Sequence, residues 1–309
     1  MESNKTVKYS LLPKRLTPGD KIGIVCPSNE ISGQKQKEEL HRGIKFFEDI
    51  GFEVETGKSI YSTNPYDRAD DINEFFLRHD ISAIFSAQGG DTAERVLEFI
   101  DWSTVTKNPK IFMGLSDVTV FLNAIFTKTS LITFHGGDVR YHFGRNPTGY
   151  DKSEFTSRLI NGCSGNINPS GDRKTIRGGT SCGKLLGGNL RCLLKLANTP
   201  FWPDFTGAIL MLEALTMDEL RCTEYFKILR QKGVFDKISG AIVGFVYSME
   251  IENPSASQME DILLRETGDY DFPILKVRDF GHGCPNTVLP IGAGIELDAD
   301  NKTYYCLCS

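Results

Sequence analysis

The stretch Asn108–Gly137, NPKIFMGLSDVTVFLNAIFTKTSLITFHGG, contains the turn on which the interpretation of the whole chain depends. An apolar, strand-like run ends at Gly114, and a helix-like run begins at Val118. A strand, a glycine turn and a helix in this order place Ser116 at the turn, beside backbone N–H groups that no helical hydrogen bond uses. This is the geometry of a nucleophile elbow, where an exposed hydroxyl lies beside amides that stabilise an oxyanion.

The same turn also fits a purely structural role. Ser and Asp are preferred at helix N-caps, so Ser116 or Asp117 can serve only to begin the helix. The stretch does not have the G-x-S-x-G form of the α/β-hydrolase elbow, and that motif therefore gives no support. Taken alone, the stretch leaves both interpretations open.

Strands and helices alternate along the first half of the chain. The predicted strands are 22–26, 52–54, 81–86 and 110–113, and the predicted helices are 36–50, 68–78, 93–100 and 118–126. This alternation predicts a mostly parallel sheet with helices on both faces. Ligands of such sheets bind at the carboxyl ends of the strands, where the Gly89-Gly90 turn and Ser116 fall. The glycine turn is either an amide cradle for an anion or only a strand-to-helix connection.

The composition changes between about residue 145 and residue 180, where Gly, Asn, Ser and Asp predominate. Such composition is typical of loops and linkers. We therefore predict an N-terminal α/β domain at 1–150, a linker at 151–180 and a C-terminal domain at 181–309. The C-terminal domain is predicted to contain strands at 208–212, 240–245 and 274–277, helices at 218–231 and 257–267, and a hairpin of 294–297 with 303–307.

Size and charge narrow the class of protein. The 309 residues suit about two domains of roughly 100–200 residues each. Lys+Arg 35 against Asp+Glu 40 gives a formal net charge of −5, without the basic surplus typical of nucleic-acid or anionic-membrane binding. The sequence has neither a long apolar run typical of a transmembrane helix nor the apolar segment of a secretory signal. We expect a cytoplasmic protein without nucleic-acid or membrane partners.

The eight cysteines are scattered, and no pair has C-x-x-C spacing. Zinc binding or a redox dithiol is therefore not indicated, and we predict no metal and no cofactor. We interpret the cysteines as mostly reduced, buried side chains, and a structural disulfide stays open.

A carboxylate and a histidine in the second half supply the other groups of a hydrolase. Glu213 follows an apolar run, where an acid either orients a histidine or is simply the first solvated residue after a core strand. His282 lies between Gly281 and Gly283, which suits a proton shuttle and equally suits an ordinary loop. Together with Ser116, these residues fill the roles of a Ser-His-acid hydrolase. His135 follows an apolar run and is interpreted as a wall residue rather than a base.

Nine blocks of the sequence, in order between Leu16 and Thr303, resemble the LD-carboxypeptidase family of serine peptidases. The blocks are LTPGDKIGIVCPS, AIFSAQGG, LEFIDW, NPKIFMGLSDVTVFLNAI, TFHGG, LLGGNL, NTPFWPDFTGAILMLE, GVFDKISGAIVG and GHGCPNTVLPIGAGIELDADNKT. The resemblance implies an α/β fold with a flavodoxin-like, mostly parallel N-terminal sheet and a second, smaller C-terminal domain of mixed α/β character. It also implies a homodimer.

The resemblance assigns a role to each candidate residue. It implies that Ser116 is the nucleophile, that His282 is the general base and acid, and that Glu213 orients His282. It further implies that the backbone amides of Gly90 and Asp117 form the oxyanion hole. The candidate substrate-binding residues within the matching blocks are Gly89, His135 and Asn189.

The family includes two kinds of substrate. Its main group removes the terminal D-alanine from muropeptide tetrapeptides, and the resemblance favours this activity and a small peptide partner. A second group, the microcin C immunity proteins, cleaves aminoacyl-nucleotide conjugates. Gln88 stands where the carboxypeptidases usually have arginine, and Asp91-Thr92 replaces their Tyr-Gly, which leaves the second group as an alternative. A non-catalytic small-ligand binding module is a third interpretation.

Overall fold

The first sheet contains the serine turn at its carboxyl edge. The computed structural model describes residues 10–308. The strands of the first half are β1 (Lys21–Val25), β2 (Glu53–Thr56), β3 (Ile81–Ser86), β4 (Ile111–Gly114) and β5 (Thr133–His135). Its helices are α1 (Gly33–Asp49), α2 (Pro65–Leu77), α3 (Ala93–Val96), α4 (Trp102–Lys107) and α5 (Thr119–Thr129). The five strands are parallel in the order β2-β1-β3-β4-β5, the flavodoxin-like order.

The second half forms a mixed sheet. The strands of this half of the chain are β6 (Gly165–Asn166), β7 (Lys174–Arg177), β8 (Thr180–Asn189), β9 (Ile209–Ala214), β10 (Gly240–Val246), β11 (Ile274–Gly281), β12 (Leu289–Ile291), β13 (Gly294–Asp298) and β14 (Thr303–Leu307), and all of them except β12 belong to the mixed sheet. The remaining helices are α6 (Gly149–Phe155), α7 (Leu190–Leu194), α8 (Glu219–Gln231) and α9 (Met259–Glu266). The sheet has the order β6-β14-β13-β8-β9-β10-β11-β7, and β8 to β11 are parallel. The predicted fold class is confirmed.

Helix α5 joins the two sheets. Eight of its 11 residues are buried, as expected for a helix packed on both sides. Asn123 of this helix donates to the carbonyl of Gly187 at 2.8 Å and accepts from the N–H of Gly187 at 3.1 Å. Thr119 Oγ1 accepts from the N–H of Asn189 at 2.9 Å. The helix that follows the serine turn is thus fixed to strand β8 of the other sheet.

Strand β12 returns from the second half to the first sheet. It pairs antiparallel with β5, with Leu289 opposite His135 and Ile291 opposite Thr133. The first sheet therefore has six strands, one of which lies within the range predicted for the C-terminal domain.

The segment predicted as a linker, 151–180, is largely folded. It includes most of α6 and the strands β6 and β7. Its polar composition is misleading because several of its charges are buried in ion pairs. Arg158 Nε lies 3.1 Å from Glu154 Oε2, and Arg173 Nε lies 2.8 Å from Asp279 Oδ2. Buried charges are retained when they are paired, so these arginines belong to the interior rather than to a solvated loop.

One cysteine pair departs from the expected reduced state. Cys163 and Cys308 form a disulfide, with their Cα atoms 5.7 Å apart. Strand β14, which ends next to Cys308, pairs with β6, which begins two residues after Cys163. This pairing joins positions 145 residues apart, and cysteine spacing alone could not reveal it. Within residues 10–308, no helix combines the length and the apolar character needed to cross a membrane.

Candidate active site

Ser116 occupies a strained turn at the carboxyl end of β4. Its φ angle is 65°, in the left-handed region that a side chain normally avoids, and the residue is only partly buried. Such strain is concentrated at functional sites, where the surrounding fold maintains it. Gly89 packs directly against it, because a Cβ at Gly89 would lie 2.7 Å from Ser116 Cβ and 3.0 Å from Ser116 Oγ. The turn therefore needs glycine at position 89 to leave the hydroxyl room.

Glu213 and His282 meet at the carboxyl edge of the second sheet. Glu213 lies in β9, and His282 directly follows β11; both strands flank β10 and run parallel to it, so their carboxyl ends lie at one edge. His282 Nδ1 is 2.6 Å from Glu213 Oε2. Glu213 is completely buried and His282 is 5% exposed. Glu213 is therefore not a solvated strand end, which was the alternative interpretation.

Burial and mutual attraction set the charges of this pair. Burial raises the pKa of Glu213, but the charge and the hydrogen bond of His282 lower it by more, so its pKa lies below the ordinary value. Burial likewise lowers the pKa of His282, while the charge and hydrogen bond of Glu213 raise it by more, so its pKa lies above the ordinary value. Glu213 is thus ionised near neutral pH, and His282 Nδ1 carries the shared proton.

Ser116 and His282 line the same cavity, of about 260 Å³, together with Gly89 and Gly90. No hydrogen bond joins the two side chains in the described part of the chain. A second cavity of about 470 Å³ meets the first at Gly90 and Ser116 and contains Asn189. A larger cavity of about 600 Å³ lies beside the disulfide and contains none of the predicted site residues.

The two amides predicted for the oxyanion hole are available. Within residues 10–308, the N–H groups of Gly90 and Asp117 have no hydrogen-bond partner. Gly90 has a φ angle of 152°, and a Cβ there would lie 2.4 Å from Asn29 Cγ and 2.6 Å from Ser28 Oγ. Only glycine fits this position, which keeps the turn close to Ser116.

His135 does not occupy the position expected of a substrate-binding residue. It has no exposed surface and lines neither cavity that contains Ser116. Burial lowers its pKa to about 4, and its ring packs edge-on against Phe280. This corrects the expectation that His135 contacts the substrate. Its imidazole is neutral and enclosed by the fold, and it packs behind the Glu213–His282 pair.

Asn189 lies both at a cavity and beside the acid. It lines the second cavity, and it is the register partner of Glu213 on the adjacent strand. Its side chain accepts from the N–H of Cys192 at 3.3 Å, and it also helps to lower the pKa of Glu213. Asn189 therefore begins helix α7 and supports the carboxylate at the same time.

Asp138, Arg140 and Tyr141 are among the cavity-lining residues that sequence reasoning missed. Asp138 is 4% exposed, accepts from the N–H of Tyr141 at 2.5 Å, and its charge contributes to the raised pKa of His282. These residues follow β5 at the carboxyl edge of the sheet, where ligands of such sheets bind, and this position could have identified them as candidate site residues. Among residues 10–308, no group of three or more His, Cys, Asp or Glu side chains could hold a metal ion.

Comparison with known proteins agrees with this architecture. Residues 22–136 match the LD-carboxypeptidase N-terminal domain, and residues 182–297 match the LD-carboxypeptidase C-terminal domain. The microcin C7 self-immunity protein MccF of Escherichia coli is 29% identical, with 95% of each chain covered. The probable murein peptide carboxypeptidase of Bacillus subtilis (strain 168) is 27% identical, with 94% of this chain and 92% of that protein covered.

Comparison with solved structures gives the same family. A solved structure of MccF in complex with aspartyl sulfamoyl adenosine has a TM-score of 0.88 at 27% identity, and it covers 97% of this chain and 99% of that one. The two matching family domains account for most of the chain and contain all of the predicted site residues. The chain belongs to the LD-carboxypeptidase family.

Proposed function

We propose that the protein is a serine-type amide hydrolase that releases the terminal D-alanine from muropeptide tetrapeptides. In this proposal Ser116 is the nucleophile, His282 is the general base and acid, and Glu213 orients His282. The supporting observation is the 2.6 Å contact between Glu213 and His282 beside a cavity that also contains the strained Ser116 turn. Nucleophile, base and orienting acid are the three groups that acyl transfer requires.

The proposed reaction begins with proton transfer from Ser116 Oγ to His282 Nε2. Ser116 Oγ attacks the amide carbonyl, and the resulting oxyanion accepts from the N–H groups of Gly90 and Asp117. His282 then gives the proton to the leaving amine, which leaves an acyl-enzyme on Ser116. A water molecule then gives a proton to His282 and attacks this ester; His282 returns the proton to Ser116 Oγ, and the shortened peptide leaves as a carboxylic acid. The proposed mechanism requires a hydrogen bond between Ser116 and His282 in the complex with substrate, where catalytic contacts of this kind tighten.

Arg140 supports the assignment to a carboxypeptidase. A terminal D-alanine carries a free carboxylate, which a guanidinium recognises well. Arg140 is the only Lys or Arg among the residues that line the smaller cavity, and its Nη2 has no hydrogen-bond partner within residues 10–308. Its Nη1 donates to Glu39, which fixes the side chain. Gln88, where the family usually has arginine, instead donates to the carbonyls of Asn29 and Glu30 at 3.1 and 2.7 Å.

An aminoacyl-nucleotide conjugate is the second candidate substrate. The relative MccF has been solved with aspartyl sulfamoyl adenosine. In the present protein, the second cavity offers about 470 Å³ beside Ser116 and contains Arg191 and Arg221. Small-molecule sites commonly have volumes of roughly 300–1,000 Å³, so this space suits a nucleoside.

A direct substrate comparison tests the proposal. The purified protein would receive a muropeptide tetrapeptide ending in D-alanine, the same peptide ending in L-alanine, and aspartyl sulfamoyl adenosine. We expect kcat/KM to be highest for the D-alanine peptide, by about tenfold or more over each of the others. A higher kcat/KM for the adenosine conjugate would establish the second candidate instead. Binding without turnover, together with no covalent adduct from a fluorophosphonate, would identify a non-catalytic binding module.

Glu213→Gln is expected to lower turnover by roughly a factor of 10⁴, which is less than the loss expected on removal of the nucleophile. The amide can still contact His282, but it does not stabilise the imidazolium that forms during the reaction. Steady-state kinetics on the D-alanine peptide would measure the difference. Glu250→Gln is a suitable control, because the side chain of Glu250 is 6% exposed and pairs with Lys276, and Glu250 lines neither cavity. A loss from Glu213→Gln that exceeds the loss from Ser116→Ala would contradict an orienting role.

A further inference from the structure

Lys195 reaches from the second half of the chain to the nucleophile turn. It directly follows helix α7, and its side chain is 18% exposed. Its Nζ donates to Asp117 Oδ1 at 2.6 Å, to the carbonyl of Asp91 at 2.8 Å and to Glu94 Oε2 at 3.0 Å. An ammonium group has three N–H donors, and all three acceptors belong to the first half. All three N–H donors of Lys195 are thus used by the segments around Ser116.

Asp117, the principal acceptor, is the residue after the nucleophile and has no exposed surface. Its Oδ2 accepts from Ser28 Oγ at 2.6 Å and from the N–H of Ala93 at 2.9 Å. Within residues 10–308, Lys195 is its only cationic partner. A buried carboxylate without a counter-charge is costly, so the position of Asp117 depends on Lys195.

The acceptors of Lys195 belong to the segments that supply the proposed oxyanion hole. Asp91 directly follows Gly90, whose N–H is one proposed donor, and the N–H of Asp117 is the other. Arg191 of the same helix also forms an ion pair with the Asp91 carboxylate. Burial lowers the pKa of Lys195, but its hydrogen bond to Asp117 and the nearby charges raise it by more, so the side chain stays charged.

We propose that Lys195 is a positioning residue that sets the spacing between the N–H groups of Gly90 and Asp117. This inference rests on the proposed serine hydrolase function. Lys195 does not line either cavity that contains Ser116, so it acts through the two turns and not on the substrate. Because an oxyanion hole acts on the transition state, loss of this spacing lowers kcat more than it raises KM.

A purely stabilising ion pair is the competing explanation, and Lys110 provides the matched control. Lys110 is a buried lysine, 7% exposed, and its Nζ donates to backbone carbonyls, including that of Ile81 at 2.8 Å. It lies at the amino end of β4, whereas Ser116 follows the carboxyl end. Lys110→Met therefore removes a buried ammonium from the same strand region without touching the serine turn.

The experiment compares Lys195→Met, Lys195→Arg and Lys110→Met with the unmodified protein. We expect Lys195→Met to lower kcat by about 10²–10³-fold, the size of effect seen when one oxyanion donor is lost, with KM changed by less than about threefold. Labelling of Ser116 by a fluorophosphonate should slow in parallel. Lys110→Met should lower the thermal midpoint at least as much as Lys195→Met and keep kcat within about threefold of the unmodified protein.

Each outcome decides the matter. An unchanged kcat in Lys195→Met, or equal losses of kcat in Lys195→Met and Lys110→Met, would overturn the positioning role. Should Lys195→Met fail to fold, Lys195→Arg decides: it keeps the charge, but a planar guanidinium does not present three donors from one nitrogen. A lowered kcat would then support the role, and a normal kcat would overturn it. Labelling of the unmodified protein but not of Ser116→Ala shows separately whether the proposed function stands.

Discussion

Replacing Ser116 with alanine is expected to lower turnover of the D-alanine peptide by about 10⁴–10⁶-fold, because the proposed reaction has no other nucleophile. The substitution keeps a Cβ at the same left-handed φ angle and removes only the hydroxyl, so the fold and the affinity for substrate should persist. Single-turnover kinetics and mass spectrometry after fluorophosphonate treatment would measure the loss of turnover and of the covalent adduct.

The chain contains a matched control for this substitution. Ser130 also has a positive φ angle, 62°, but it caps the C-terminal end of α5 and lines neither cavity that contains Ser116. Ser130→Ala should therefore keep normal turnover. A fluorophosphonate adduct on a residue other than Ser116, or near-normal turnover by Ser116→Ala, would disprove the proposed mechanism.

His282→Gln is expected to produce a loss of the same order, about 10⁴–10⁶-fold. Glutamine can still donate to Glu213, but it cannot accept the proton from Ser116 or return it to the leaving amine. His142→Gln is the control, because His142 forms a comparable contact, 2.8 Å between Nε2 and Asp151 Oδ1, without lining the Ser116 cavity. Equal effects of the two substitutions would argue for a structural role of His282.

The pH profile gives a second measure of the role of His282. A general base must be neutral, so kcat/KM should rise with pH through the pKa of His282, which lies above the ordinary value because of Glu213. Glu213→Gln removes the negative charge and should move the rising limb of the residual activity to lower pH. A limb that stays in place in Glu213→Gln would show that another group controls the profile.

Local pattern was enough to predict four of the six strands of the first sheet, β1 to β4, but it did not predict β5 or β12. Strand β3 begins and ends at the predicted residues, Ile81 and Ser86, because apolar runs bounded by turn residues identify buried strands directly. Strand β8 was missed, since its glycines and polar residues hide a strand that becomes buried only beside β9. Local patterning does not show such tertiary context.

The candidate site likewise has features that local sequence predicts and features that only the folded structure shows. The serine turn could be predicted from the sequence because the strand, the glycine turn and the helix are adjacent in the chain. The contact between Glu213 and His282 joins positions 69 residues apart, so it needed either the family resemblance or the structure. Asp138, Arg140 and Lys195 belong to no motif, and only the folded chain brings them to the Ser116 turn.

The return of β12 to the first sheet limits how a substrate enters. A clamshell motion that separated the two halves would have to break the hydrogen bonds between β12 and β5, including the register of Leu289 with His135. The pairing of β12 with β5 thus holds the two halves of the chain together. Admission of a peptide should accordingly rely on movement of the surface turns at the rim, and the catalytic groups should stay mutually fixed throughout the cycle.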